Sequence, residues 1–193
     1  MNIATPGLLV VDLQPAYSRS TGQNSHISRN LMQSVLRHIA GLPADAPLLA
    51  LYVNEELSGD TFEDVQAFWA ERGASDELLE RIQWTDKSYA FLRGWMDNGI
   101  DQDELCSVLR VLRARNVWDS RNLTIEDIEV HSEKGAELCD PLFRDHDVEA
   151  MLPKLTGRDW ATCGGARDEC LLEVELVLQS ADTVFERLHY LTY

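Results

Sequence analysis

The sequence predicts an α/β protein with a three-layer, doubly wound (Rossmann-like) and mainly parallel sheet. Two short apolar runs, residues 7–13 (GLLVVDL) and Leu48–Val53 (LLALYV), have the composition of strands that are buried on both faces. A segment with helical periodicity, at about 25–40, lies between them. A strand, a helix and a second strand at this spacing form a βαβ unit, in which the two strands run parallel.

The same alternation continues in the last third of the chain. A weak strand is predicted at 128–131, a stronger one at 158–163 and a final one at 183–191. Helical stretches at about 145–155 and 168–181 separate these strands. This order of elements is typical of a doubly wound α/β sheet.

The middle of the chain, at about 54–126, interrupts the alternation. Residues 60–82 and 101–115 have helical periodicity, and the region contains no repeat, low-complexity segment or linker rich in proline and glycine. We therefore predict a single domain over residues 1–193, with a helical insertion at about 54–126 between the second and third strands.

The charge balance excludes two classes of partner. The 17 Lys and Arg residues stand against 33 Asp and Glu residues, a formal net charge of -16. Nucleic acids and anionic membranes are bound through clustered basic residues, which this sequence lacks. No apolar run approaches the roughly 20 residues of a membrane span, so we expect neither nucleic acid nor membrane as a partner.

The cysteines and the start of the chain predict a reducing, cytoplasmic location. The opening MNIATPGLLVVD lacks the charged start and long apolar core of a signal peptide. None of the four cysteines has the paired spacing of metal ligands. They are Cys106, Cys139, Cys163 and Cys170.

Three reactive residues follow predicted strands, where the sites of open α/β sheets collect. They are Asp12, Lys134 and Cys170. A thiol attacks as the thiolate, so it needs a proton acceptor and a positive potential, which Asp12 and Lys134 can provide. A structural alternative exists for each residue: a packed cysteine, a capping aspartate and a solvated lysine. Their coincidence at one sheet edge favours catalysis.

Two stretches resemble the isochorismatase-like cysteine hydrolases, which include nicotinamidases and N-carbamoyl amidases. LLVVDLQPAY is similar to the opening strand of that family, with Asp12, Gln14 and Tyr17 at its motif positions. CGGARDECLLEVELVL resembles the strand, turn and helix that carry the nucleophile, which falls on Cys170. The resemblance implies an Asp-Lys-Cys triad, with Tyr17 beside the substrate.

The resemblance also implies how the turn before Cys170 works. Its glycine pair would shape an oxyanion hole, with the backbone N–H groups of Ala166 and Cys170 as donors. It further implies a cis peptide bond between Gly165 and Ala166.

The triad lysine has two candidates. Lys87 begins KSYAF, a plausible local match to the family, but it lies far upstream of Cys170. Lys134 leaves room for one helix and one strand before Cys170, and the sequence that follows it resembles the corresponding family segment. Lys134 is therefore the predicted triad lysine, and Lys87 is the alternative.

Departures from the family narrow the expected activity. Nicotinamidases bind a metal through an Asp-x-His pair after the second strand, where this chain has Asn54 and Glu56 and no histidine nearby. Isochorismatases proper lack the cysteine that Cys170 provides. The resemblance thus implies a hydrolase without metal or other cofactor, which cleaves the amide or carbamoyl C–N bond of a small molecule through a thioester.

Other features leave an alternative function open. Asp168 and Glu169 precede the cysteine and Glu173 follows it, and negative charge near a thiol opposes its ionisation. The chain stops at HYLTY, where the family usually continues with a strand and a helix. An uncovered sheet edge favours association, so we expect a homo-oligomer. The alternative function is a non-catalytic scaffold for binding or assembly.

The insertion contributes further candidates for substrate contact. Its segment FLRGWM carries Phe91 and Trp95, which are aromatic side chains that can form the wall of a pocket. Aromatic stripes with helical spacing also occur in cores, and this alternative stays open.

Overall fold

The computed structural model of the protein describes residues 6–18, 27, 29–87, 154–167, 170–180 and 182–193. The chain divides into two compact units. The first consists of Met1–Lys87, Asp159–Leu171 and Phe185–Tyr193, and the second of Ser88–Arg158 and Leu172–Val184. Of the second unit, the described residues are 154–158, 172–180 and 182–184.

The described strands form one parallel sheet in the first unit. They are β1 (Gly7–Val11), β2 (Leu48–Val53), β3 (Gln83–Lys87), β4 (Trp160–Gly164) and β5 (Phe185–Thr192). Their order across the sheet is β3-β2-β1-β4-β5, and all neighbours are parallel. This confirms the prediction of an α/β fold with a parallel sheet. It also brings the carboxyl ends of all five strands to one edge.

The described helices are α1 (Arg29–Ala40), α2 (Glu55–Ser58), α3 (Phe62–Ala70), α4 (Asp76–Arg81) and α5 (Cys170–Ser180), with a short 3-10 helix at Pro15–Tyr17. In α1, Met32, Val35 and Ile39 recur at helical spacing and are buried in the core that includes β1. Thr61 starts α3 through a capping box with Asp64. Over the residues described, no helix is long and apolar enough to cross a membrane.

The strand β3 lies inside the region that was predicted as a helical insertion. Helices α2, α3 and α4 do fall there, but QWTDK pairs with β2 in register, from Leu49 opposite Gln83 to Val53 opposite Lys87. Its sequence has one large apolar residue, Trp84, so composition does not distinguish it from a loop. The elements predicted at 101–115 and 128–131 lie outside the described residues, as do residues 145–153 of the helix predicted at about 145–155.

The central strand β1 is buried along its whole length, with β2 on one side and β4 on the other. The fully buried Trp69 of α3 donates its indole N–H to the carbonyl oxygen of Leu13 at 2.8 Å. This bond satisfies a buried donor and fixes the chain directly after Asp12. Packing in the core therefore fixes the end of β1, which Asp12 follows.

Candidate active site

Asp12 follows β1 in an unusual backbone conformation and is fully buried. Its φ of 52° is in the left-handed region, which aspartate tolerates better than most residues but at a cost of about 1 kcal/mol. Its N–H donates to the carbonyl oxygen of Leu51 at 2.9 Å, which keeps it attached to β2. The side chain is thereby fixed at the carboxyl edge of the sheet.

The two carboxylate oxygens of Asp12 have different surroundings. Oδ2 accepts a hydrogen bond from Nζ of Lys87 at 2.7 Å. Oδ1 is buried and has no hydrogen-bond partner among the residues that the structure describes. A buried acceptor without a partner costs about 1–3 kcal/mol. Such an oxygen is a candidate to accept a proton from a group in the site.

Lys87 is the last residue of β3 and is as deeply buried as Asp12, with side-chain exposures of 1% and 0%. Because β2 lies between β3 and β1, the lysine spans two strand spacings, about 10 Å, across the end of β2. Removing one partner of a buried ion pair leaves an uncompensated charge and costs about 3–5 kcal/mol. The pair therefore orients Asp12 strongly.

The structure thus pairs Asp12 with Lys87, the lysine that the sequence analysis ranked second. Lys134, the predicted triad lysine, lies outside the described residues, and its place in the site stays a prediction. The local match of KSYAF was the signal for Lys87. The long separation of Lys87 from Cys170 along the chain outweighed that signal, and the pairing of β3 with β2 is not visible in QWTDK.

Gln14 and Asp60 hold the loop that follows Asp12, and both side chains are fully buried. The Gln14 amide accepts from the N–H of Val53 at 2.7 Å and donates to the carbonyl of Val53 and to Asp60. Oδ2 of Asp60 also accepts from the N–H of Ala16 at 2.7 Å. These bonds position the 3-10 helix that carries Tyr17. Sequence reasoning missed Asp60, since nothing local links it to residue 16.

Tyr17 lies half-buried beside the candidate catalytic groups. Burial is the largest cause that raises the pKa of its phenol, followed by the charges of Asp12 and Cys170. The phenol therefore stays protonated near neutral pH and is able to donate a hydrogen bond. Its place in the 3-10 helix that follows Asp12 suits the predicted contact with substrate, which stays a prediction.

The turn between β4 and α5 depends on its glycines. Gly164 has a φ of 90°, and a Cβ there would overlap the backbone of Val11. The N–H of Gly165 donates to the carbonyl of Val11 at 2.6 Å. A Cβ on Gly165 would lie 3.4 Å from the Cβ of Cys170 and 3.0 Å from the nitrogen of Leu171. The absence of side chains therefore lets the turn cross the residue that precedes Asp12.

Cys170 is the first residue of α5 and is half-buried. The N-terminal end of a helix carries a partial positive charge that favours a thiolate. The turn holds Cys170 close to the end of β1, since a Cβ on Gly165 would lie 3.4 Å from the Cβ of Cys170 and the N–H of Gly165 donates to the carbonyl of Val11. The predicted acceptor and the predicted nucleophile therefore follow the same ends of two neighbouring strands, β1 and β4.

Among the described residues of the turn between β4 and α5, some backbone N–H groups already donate hydrogen bonds within the protein, and one does not. The N–H of Arg167 donates to the carbonyl of Tyr193 at 2.7 Å, and that of Leu171 donates to the carbonyl of Ala166 at 3.2 Å. Within the described part of the chain, the N–H of Ala166 has no partner, as an oxyanion donor requires. The expected cis bond between Gly165 and Ala166 is wrong, since this peptide bond is trans.

Several candidate residues fall outside the described part of the chain. These are Phe91, Trp95, Asp168 and Glu169, together with the side chain of Glu173. Among the residues that are described, no group of three or more His, Cys, Asp or Glu side chains could hold a metal ion. Cys163 and Cys170 are not joined in a disulfide.

Comparisons with models of protein families, with curated proteins and with solved structures find no match to this chain.

Proposed function

We propose that the protein is a cysteine hydrolase that cleaves the C–N bond of a small amide or carbamoyl compound. Its triad is Asp12, Lys87 and Cys170. The observation that carries the proposal is the buried 2.7 Å ion pair of Asp12 and Lys87 at the carboxyl edge of the sheet, the edge at which Cys170 begins α5. Lys87 takes the role first predicted for Lys134, because it holds the aspartate directly.

The arrangement of the strands supports this proposal. We propose the finer, doubly wound and Rossmann-like arrangement for this sheet, which the strand order β3-β2-β1-β4-β5 supports. In such a sheet the connections leave β1 in opposite directions, and ligands bind in the crevice at the carboxyl ends beside that point. The two strands that flank this crevice are β1 and β4. Asp12 follows β1, and Cys170 follows β4.

The proposed first step forms a thioester. Oδ1 of Asp12 takes the thiol proton of Cys170, while Lys87 and the start of α5 stabilise the thiolate. The sulfur attacks the carbonyl carbon, a C–S bond forms, and the carbonyl π electrons move to the oxygen. The N–H groups of Ala166 and Cys170 stabilise that oxyanion. The C–N bond then breaks, and the amine leaves with the proton that Asp12 held.

The second step hydrolyses the thioester and restores the free enzyme. Asp12 removes a proton from water, whose oxygen attacks the thioester carbon. The tetrahedral intermediate collapses, the C–S bond breaks and the acid is released. The departing thiolate takes the proton that Asp12 holds, which restores the starting thiol and carboxylate. Lys87 binds Oδ2 throughout, so Oδ1 is the oxygen that exchanges protons. A reducing, cytoplasmic setting would keep the thiol in its active form.

A substrate screen tests this function. Small primary amides and N-carbamoyl compounds are incubated with the protein, and release of ammonia is measured. We expect turnover by the wild type and none above background by Cys170→Ala. Mass spectrometry of acid-quenched reactions should find the acyl group on the peptide that contains Cys170. Full turnover by Cys170→Ala would overturn the proposal.

The reactivity of Cys170 separates the hydrolase from the non-catalytic scaffold. Alkylation by iodoacetamide is followed by peptide mass across pH, so that Cys170 is distinguished from the other cysteines. An activated thiol reaches half of its maximal rate well below pH 8.5, the value of an unperturbed cysteine. A pH profile of Cys170 alkylation with its midpoint near pH 8.5 would favour the scaffold. An oligomer that dissociates when surface residues of the insertion are substituted would also favour it.

A further inference from the structure

Tyr193 is attached to the turn that carries Cys170. Strand β5 runs parallel to β4, from Phe185 opposite Trp160 to Thr192 opposite Gly164, with a register shift before Gly164. One residue later, the carbonyl oxygen of Tyr193 accepts the N–H of Arg167 at 2.7 Å. The backbone of Tyr193 is therefore fixed beside the turn that precedes the nucleophile.

Tyr193 directly follows β5, so its side chain starts at the carboxyl edge of the sheet, where Asp12 also lies. The side chain is half-buried and packs, as Tyr17 does, against the core of the sheet. Burial is the largest cause that raises the pKa of its phenol, followed by the charges of Asp12 and Cys170. A phenol that stays protonated beside a thiolate and a carboxylate is a hydrogen-bond donor.

We propose that the hydroxyl of Tyr193 donates a hydrogen bond to the oxygen of the carbonyl that Cys170 attacks. Its own carbonyl occupies the N–H of Arg167, so that group of the turn does not serve the oxyanion. The phenol adds a side-chain donor to the backbone N–H of Ala166. Tyr193 is thus a catalytic residue of the proposed hydrolase, and this inference rests on that function.

Two probes that react with the same sulfur test the role. With 4-nitrophenyl acetate, the thiolate attacks the carbonyl carbon, and the π electrons form an oxyanion. Its collapse expels 4-nitrophenolate and leaves S-acetyl Cys170. Iodoacetamide instead loses iodide by direct displacement at a saturated carbon, and no oxyanion forms. A donor to the oxyanion affects the first reaction only, whereas a change in thiolate content or access affects both.

Tyr193→Phe removes the hydroxyl and keeps the ring and the backbone bond to Arg167. We expect its rate of acylation by 4-nitrophenyl acetate, measured as the burst of 4-nitrophenolate, to fall about 100-fold, since one oxyanion donor contributes on the order of 100-fold or more. Alkylation of Cys170 by iodoacetamide should stay within about twofold of the wild type.

The matched control is Tyr190→Phe in the same strand. Tyr190 is 68% exposed and its hydroxyl lies 3.3 Å from Nδ1 of His38, away from the candidate catalytic groups. We expect wild-type rates with both probes. Acylation of Tyr193→Phe at the wild-type rate, or an equal fall with both probes, would overturn the role of Tyr193 alone. A wild type that acylates no faster than Cys170→Ala would overturn the hydrolase itself, and the inference with it.

Discussion

Cys163 and Cys170 occupy opposite environments although they lie on either side of one short turn. Cys163 is in β4, fully buried, and pairs in register with Val10 of β1. Burial raises the pKa of its thiol to about 12, so almost none is thiolate at neutral pH. Cys170 starts α5 at the carboxyl edge of the sheet and is half-buried. We therefore expect the reactivity of each thiol to depend on its position relative to this edge.

The two thiols also differ in the charges near them. Cys163 belongs to the apolar cluster around β1, and burial alone raises its pKa. The Cys170 thiol and the Asp12 carboxylate both contribute to the raised pKa values of Tyr17 and Tyr193. Cys170 therefore has titratable groups within electrostatic range, whereas Cys163 lies in an apolar core.

The largest expected effect comes from removing each sulfur in turn. Cys170→Ala should abolish ammonia release and acylation by 4-nitrophenyl acetate, because no other described thiol lies beside Asp12. Cys163→Ala should keep both activities within about twofold and lower the free energy of unfolding by about 1 kcal/mol, as expected for a small buried side chain. Urea unfolding measures the stability. Loss of activity in Cys163→Ala at full stability would contradict the contrast.

The next largest effect should distinguish the two lysines. Lys87→Met leaves the buried carboxylate of Asp12 without its cation, so we expect a loss of about 3–5 kcal/mol in unfolding free energy. The acylation rate should fall by about 100-fold or more, because the proton acceptor loses its orientation. Lys134→Met is the matched change and should leave both quantities near the wild-type values.

A double variant separates stability from catalysis at this pair. Asp12→Asn combined with Lys87→Met removes both buried charges, and such replacements recover much of the stability that the single changes lose. Activity should stay lost, because no group remains to take the thiol proton. If Lys134→Met abolishes acylation while Lys87→Met retains it, the triad lysine is Lys134.

A smaller effect tests the turn between the two cysteines. Gly164→Ala combines a φ of 90° with overlap between the new Cβ and Val11, so we expect a loss of about 3 kcal/mol or more in unfolding free energy. Gly59→Ala is the control, since its φ is 75° but a Cβ there meets nothing within 4 Å. It should cost about 1 kcal/mol. Equal losses would mean that the close approach to Val11 is not needed.

Local patterns in the sequence were enough to predict Asp12, Tyr17 and Cys170 as site candidates. A continuous apolar run gives β1, and a glycine pair before an apolar helix gives the turn and α5. Lys87 and Asp60 were harder to predict, because each contacts a segment that is distant in the sequence. Lys87 reaches Asp12 only after β3 pairs with β2, and Asp60 reaches the N–H of Ala16 only after α3 is placed.

The smallest effect is the pH dependence of stability that the buried thiol of Cys163 causes. In the unfolded chain a thiol ionises near pH 9, whereas in the folded protein the pKa of Cys163 is about 12. Above pH 9 the folded state therefore holds more protons than the unfolded state, and stability falls as pH rises, by at most about 1.4 kcal/mol per pH unit.

We expect the unfolding free energy of the wild type, relative to that of Cys163→Ala, to fall by about 1.4 kcal/mol between pH 8 and pH 10, the amount that linkage gives for this shift. This fall is of the same size as the advantage of about 1 kcal/mol expected near neutral pH, so it removes that advantage. The raised pKa values of Tyr17 and Tyr193 act in both proteins and cancel in the difference. Urea unfolding at intervals of half a pH unit measures it. A difference that stays constant up to pH 10 would show that the Cys163 thiol ionises as readily in the fold as in the unfolded chain, and the contrast with Cys170 would then not rest on burial.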